Sequence, residues 1–181
     1  MEINLSKYAG FCDGVKSAYE MAIKASKNKK TKKPVFILGS LAHNDDVVRK
    51  IEEAGIKKIK FDGNLKKLFN SKRKIGTLII TTHGIGPKIY EICKQKAINI
   101  IDTTCPKVVK AQRLAEFFSK KREKTIIIGE KKHKEAKGIK EWSGGEAIVM
   151  ESEKDLESIK WGGNEKINIL SQTTQNKKFI D

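Results

Sequence analysis

Short apolar runs recur along this chain at intervals that leave room for one helix each. Pro34-Val35-Phe36-Ile37-Leu38-Gly39, Ile75 to Thr81, Ile98 to Ile101 and Thr125 to Ile128 have strand length and few polar residues. Between them, apolar residues return every three or four positions, as in Val15, Ala18, Tyr19, Ala22 and Ile23, or Val47, Val48, Ile51 and Ala54. A strand apolar throughout must be covered on both faces, and strand–helix alternation supplies that cover. The pattern predicts an α/β fold of small parallel sheets flanked by helices. Further strands are expected over Glu2 to Leu5, Ile56 to Phe61, Ala147 to Met150 and Ile167 to Leu170. Further helices are expected over Leu65 to Phe69, from Pro87, after Cys105, from about Lys134 to Trp142 and around Leu156. One βα series can end near Ala97, so residues 1–97 and 98–181 read as two α/β domains.

Composition narrows the function classes. The chain of 181 residues carries 38 basic and 22 acidic side chains, a formal charge of +16. Only Arg49, Arg73, Arg113 and Arg122 are arginines, and aromatics make up 7%. Nucleic-acid sites favour arginine for base edges and interleave aromatics for stacking, so the charge argues for small anions such as phosphates instead. No apolar run approaches the roughly 20 residues of a membrane helix, and no secretory leader is evident, so a cytoplasmic protein is expected. Three cysteines without close pairing fit a reducing compartment.

The reactive residues fall in equivalent places on this map. His43, His83, Cys105, His133 and Thr173-Thr174 each follow an expected strand, and Cys12 follows the expected first one. Open α/β sheets bind ligands at that edge, where loops and helix N-termini meet. Pro106 suits a first helical position, which makes Cys105 the N-cap, with its sulfur at the positive end of a helix. A thiol there is ready to act as thiolate, either nucleophile or metal ligand. Cys93 shares a stripe with Ile89 and Ile92 and reads as core, and Trp142 and Trp161 read as packing residues. The residues leave several chemistries open: a mixed Cys/His zinc site without the usual close spacing, a Cys–His nucleophile pair, or an anion site rich in imidazoles. An iron–sulfur cluster generally takes more thiolates than two. What they share is a thiolate-containing anion site at a sheet edge.

At these residues the chain resembles a known family. Gly10-Phe11-Cys12-Asp13-Gly14-Val15, His43-Asn44, Thr82-His83-Gly84, Asp102-Thr103-Thr104-Cys105-Pro106 and Ser171-Gln172-Thr173-Thr174 resemble, in order, the motifs of the 4-hydroxy-3-methylbut-2-enyl diphosphate reductase family. The resemblance implies a cytoplasmic iron–sulfur oxidoreductase of non-mevalonate isoprenoid biosynthesis, which forms isopentenyl and dimethylallyl diphosphates by reductive dehydroxylation. It implies that Cys12 and Cys105 ligate a 4Fe-4S cluster, and that His43, His83 and His133 hold the substrate's diphosphate. Glu135 would be the proton source, and Thr173 would bind the substrate hydroxyl and position Glu135. Lys134 stands where the family has proline. Partners implied are the diphosphate substrate and an electron donor such as ferredoxin or flavodoxin. The motifs match the first two of the family's three pseudo-repeated α/β domains, so the expectation is a fragment or half enzyme. The third cysteine ligand would then come from a complementing third domain. Two further readings are a non-catalytic basic α/β module for phosphate ligands or nucleic acid, and a zinc-dependent hydrolase.

Overall fold

The computed structural model describes residues 2–4, 10–42, 44–69, 73–157, 159, 162 and 166–176. Two parallel sheets follow one another along the chain. The first has the order β2-β1-β3-β4, from β1 (Val35–Leu38), β2 (Lys57–Ile59), β3 (Thr77–Ile80) and β4 (Asn99–Asp102). The second has the order β6-β5-β7, from β5 (Lys124–Ile128), β6 (Ile148–Met150) and β7 (Ile167–Ser171). The helices are α1 (Asp13–Lys27), α2 (Asp45–Glu53), α3 (Leu65–Phe69), α4 (Pro87–Gln95), α5 (Pro106–Lys120), α6 (Lys134–Trp142) and α7 (Lys154–Glu157).

The apolar strands are buried on both sides, as their composition requires. Side chains alternate along a strand, and β1 uses both faces. Val35 and Ile37 join Ala18, Ala22, Val47 and Ile51 in the core under α1 and α2. Phe36 and Leu38 turn the other way and meet Leu68, Ile89 and Cys93 of α3 and α4. The second sheet repeats the scheme: Ile127 packs with Ala111, Ala115, Ala136 and Ile139 of α5 and α6, and Ile126 and Ile128 face Met150 and Ile159. Each buried Val, Ile, Leu, Phe or Met side chain contributes roughly 1.5–3 kcal/mol. The alanines on α1, α5 and α6 let the helices approach the sheets closely.

Two expectations are corrected. Glu2 to Asn4 form no strand, Ile3 is 76% exposed, and the run pairs with none of the described strands; Leu5 lies outside the described residues. A short run of strand-like residues has nothing to gain without a neighbouring ladder. The change of sheet also does not fall at Ala97. β4 pairs with β3 in register Thr77↔Asn99 to Ile80↔Asp102, so the first sheet runs to Asp102. α5 then packs on α6 and β5, and the crossing between the sheets is the turn Thr103-Thr104-Cys105. Among the described residues, no helix is long and apolar enough to cross a membrane.

Candidate active site

The crossing turn brings the candidate residues together. Cys105 caps α5 and Pro106 opens it, as the sequence predicts, and Cys12 caps α1 in the same way. Neither sulfur makes a capping hydrogen bond, so both are placed at positive helix ends and left available. Cys12 is exposed and Cys105 partly so. Gly14, in the first turn of α1, lies directly on Cys105: a Cβ there would stand 3.2 Å from Sγ. Cys93 is elsewhere. It is fully buried in the first sheet's core, where burial pushes its thiol up to about 11.

From Cys105 the contacts run on to the imidazoles. The N–H of Cys105 donates to the carbonyl of Thr82 at 3.0 Å, and His83 follows Thr82 in the turn after β3. Gly84 has φ +68°, and a Cβ there would overlap the buried amide of Gln112, so only glycine lets this turn sit so close to α5. The His83 ring meets His133 edge-on, with centroids 5.2 Å apart. His133 caps α6, its Nδ1 accepting the N–H of Glu135 at 3.2 Å. Lys134 is the first helical residue of α6 and is exposed. That position suits proline or lysine alike, because its N–H lacks a helical partner in either case.

Glu135 ends this chain of contacts. It is 1% exposed, and both oxygens are occupied by Thr173, whose N–H donates at 2.6 Å and whose hydroxyl donates at 2.9 Å. A buried carboxylate needs such partners. Thr173 lies just past β7, where register sets Ile128 opposite Ser171, so the turns after β5 and β7 face each other. Gly14, Cys105, Thr82, His83, His133, Glu135 and Thr173 thus form one continuous line across the junction of the two sheets. His43 lies outside the described residues.

The imidazole end offers groups for a cation and for an oxyanion. Ligand atoms of His83, His133 and Glu135 lie within 4.8 Å of one another, close enough for a shared cation. But an Nδ1 that accepts a backbone N–H carries no proton, so neutral His133 carries it on Nε2. A metal ligand would need that nitrogen bare, while each Glu135 oxygen accepts one hydrogen bond from Thr173 and keeps a second lone pair. A ring N–H beside a helix N-terminus suits a phosphate.

Two neighbouring residues of α6, Glu141 and Trp142, also shape the site. Trp142, expected to be packing alone, donates its ring N–H to the carbonyl of Ile85 at 2.8 Å and so ties the end of α6 to the His83 turn. Beside it, the Glu141 carboxylate lies on Gly86, where any Cβ would overlap it. Trp161 lies outside the described residues.

Comparisons with known proteins identify the family. The family model described as LytB protein matches residues 3–181. A 4-hydroxy-3-methylbut-2-enyl diphosphate reductase of Caldanaerobacter subterraneus subsp. tengcongensis is 39% identical over 174 residues, which is 96% of this chain and 58% of the relative. The reductase of the same name from Clostridioides difficile is 34% identical, over 99% of this chain and 61% of the relative. The chain therefore spans about three-fifths of these relatives' length. Among solved structures, the E-1-hydroxy-2-methyl-but-2-enyl-4-diphosphate reductase of Plasmodium falciparum aligns with TM-score 0.84 at 30% identity, covering 96% of this chain and 52% of that one. A structure of (E)-4-hydroxy-3-methyl-but-2-enyl diphosphate reductase, described as the terminal enzyme of the non-mevalonate pathway, aligns with TM-score 0.79 at 31% identity, covering 98% and 60%. From the GFCDGV turn to the SQTT turn, the chain belongs to the LytB protein family.

Proposed function

We propose that this chain forms the cysteine and histidine portion of a 4-hydroxy-3-methylbut-2-enyl diphosphate reductase, built as two α/β domains that meet after Asp102. The observation that carries the reading is the buried Glu135 carboxylate, locked by Thr173 and facing two imidazoles in line with an N-capping thiol. The residues present fit two corners of an iron–sulfur cluster. Cys12 and Cys105 are uncapped thiols at two helix N-termini, Gly14 keeps the space beside Cys105 free of a side chain, and Cys93 is sealed in the core. Among the described residues no third thiol joins them, so a complementing domain or an added thiol completes the set. Held by those thiolates, a cluster would supply electrons and a Lewis acid for the substrate's hydroxyl group.

The chain's own residues perform the binding and proton work. His83 and His133, with His43, hold the diphosphate by ring N–H donors and charge. Thr173 keeps Glu135 in one orientation and reaches toward the substrate's hydroxyl. Glu135 gives the proton with which that hydroxyl leaves as water. In total the reductive dehydroxylation takes up two electrons and two protons and yields isopentenyl and dimethylallyl diphosphates. A ferredoxin or flavodoxin is the class of electron donor that fits. Anaerobic reconstitution with iron and sulfide tests the reading. A brown protein that loses its colour in Cys12→Ser and Cys105→Ser is expected; a colourless one, even with added thiol, rejects the cluster. Polyanion binding that is salt-sensitive and indifferent to both substitutions would favour a basic binding module instead.

A further inference from the structure

The Asp102 carboxylate, three residues before Cys105, is used on both oxygens. Oδ1 accepts the N–H of Thr104 at 2.9 Å and the Thr104 hydroxyl as well. That is an Asx turn, which aspartate builds from its own neighbourhood. Oδ2 accepts the hydroxyl of Tyr90 at 2.8 Å, and this bond is not local, because Tyr90 lies in α4. The Tyr90 ring is in turn held at a tilt by Trp142, with centroids 6.0 Å apart, and Trp142 is fixed to Ile85. Burial and the Asp102 bond push the Tyr90 hydroxyl far above its ordinary range, so it remains a donor wherever the protein is folded.

We propose that Tyr90 is a positioning residue for Cys105: by holding Asp102 it keeps the crossing turn wound and seats the thiol at the N-terminus of α5. Only Thr103 and Thr104 separate Asp102 from Cys105, and Thr103 is pinned to the Ile80 carbonyl by both its N–H and its hydroxyl. The Asp102 side chain is the other anchor of the turn, and Tyr90 is what ties it to α4. A sulfur seated at the N-terminus of α5 faces the first turn of α1, with Gly14 beside it; one that swings away does not. Tyr90 also reaches the Thr104 hydroxyl, which itself binds Asp102, so it acts on the turn through that linked pair.

The test uses the native chain and a readout internal to it. Both site thiols are reacted to completion with a short bis-maleimide, and the ratio of chains cross-linked between Cys12 and Cys105 to chains not cross-linked is read by peptide mass spectrometry. Tyr90→Phe keeps the ring against Trp142 and removes only the hydroxyl. The ratio is expected to fall about two- to tenfold, the size of one lost hydrogen bond. It should fall in Asp102→Ala as well, and no further in the double variant, since the two residues act in series. Ile89→Val, next to Tyr90 but outside the turn, should leave the ratio unchanged. An unchanged or raised ratio in Tyr90→Phe, or losses that add in the double variant, overturns the proposal. If Tyr90→Phe fails to fold, Asp102→Ala carries the test by itself, and a ratio that does not fall rejects it.

Discussion

The three thiols of this chain should differ in reactivity by orders of magnitude. Cys12 and Cys105 cap helices at the site, whereas Cys93 is 0% exposed among Phe36, Leu38, Leu78, Ile80 and Ile89. Burial raises the Cys93 thiol to about 11. At pH 8 about one Cys93 in a thousand would then be thiolate, against about one in four for an ordinary thiol, a ~250-fold disadvantage from ionisation alone. Exclusion of the reagent adds to this, because the core must open locally before alkylation. Pulsed alkylation with iodoacetamide, quantified peptide by peptide, should label Cys12 and Cys105 within the first time points and leave Cys93 unmodified until denaturant is added. In guanidinium chloride all three should react alike. Native labelling of Cys93 within tenfold of Cys105 would refute the packing of α4 against the first sheet, and with it the exclusion of Cys93 from the site.

Other consequences are equally open to measurement. Gly14→Ala should cost little or no stability, since alanine favours a helix by up to about 1 kcal/mol over glycine. Its Cβ, 3.2 Å from the Cys105 sulfur, should nonetheless reduce the iron retained after reconstitution. Trp142→Phe removes one hydrogen bond to Ile85 and should lower stability by about 0.5–1.5 kcal/mol in urea denaturation, with an unchanged m-value. Asp155 is held near pKa 2 by its bond to Lys131 and by the N–H groups of Glu151 and Ser152. A depressed carboxylate contributes stability above its unfolded pKa of about 4 and loses it as pH falls through about 2. Asp155→Asn should therefore flatten the acid limb of a stability–pH profile between about pH 4 and 2 and leave the curve's shape above pH 5 unaltered.

What local sequence carries, this chain reveals readily. The Cys105-Pro106 cap, the glycine stop after α2 and the strands apolar on both faces each depend on neighbours within one turn or one strand. α3 and α6 have the bounds their periodicity predicts. Cys93 shows its place by sharing a stripe with Ile89 and Ile92. What escapes is pairing at a distance. Nothing in Asn99 to Asp102 says which sheet the strand joins; only its register against β3 does. Glu2 to Asn4 have strand-like composition but no partner ladder among the described residues. Tyr90 and Trp142 look like ordinary helix-face aromatics, because the Asp102 carboxylate and the Ile85 carbonyl that they meet lie 12 and 57 residues away. Of the site itself, residue types and order were legible, while the tautomer of His133 and the double clamp of Thr173 on Glu135 needed coordinates.

The central claim is that the imidazoles on the two sheets face one oxyanion together. The chain has three histidines, so their ring C2–H resonances can be followed one by one, assigned by single His→Gln substitutions. A titration with inorganic diphosphate should move the His83 and His133 resonances along curves of the same midpoint, and Glu135→Gln should shift that midpoint while preserving the pairing. Resonances that stay still, or that move with separate midpoints, would contradict a single site at the junction of the sheets.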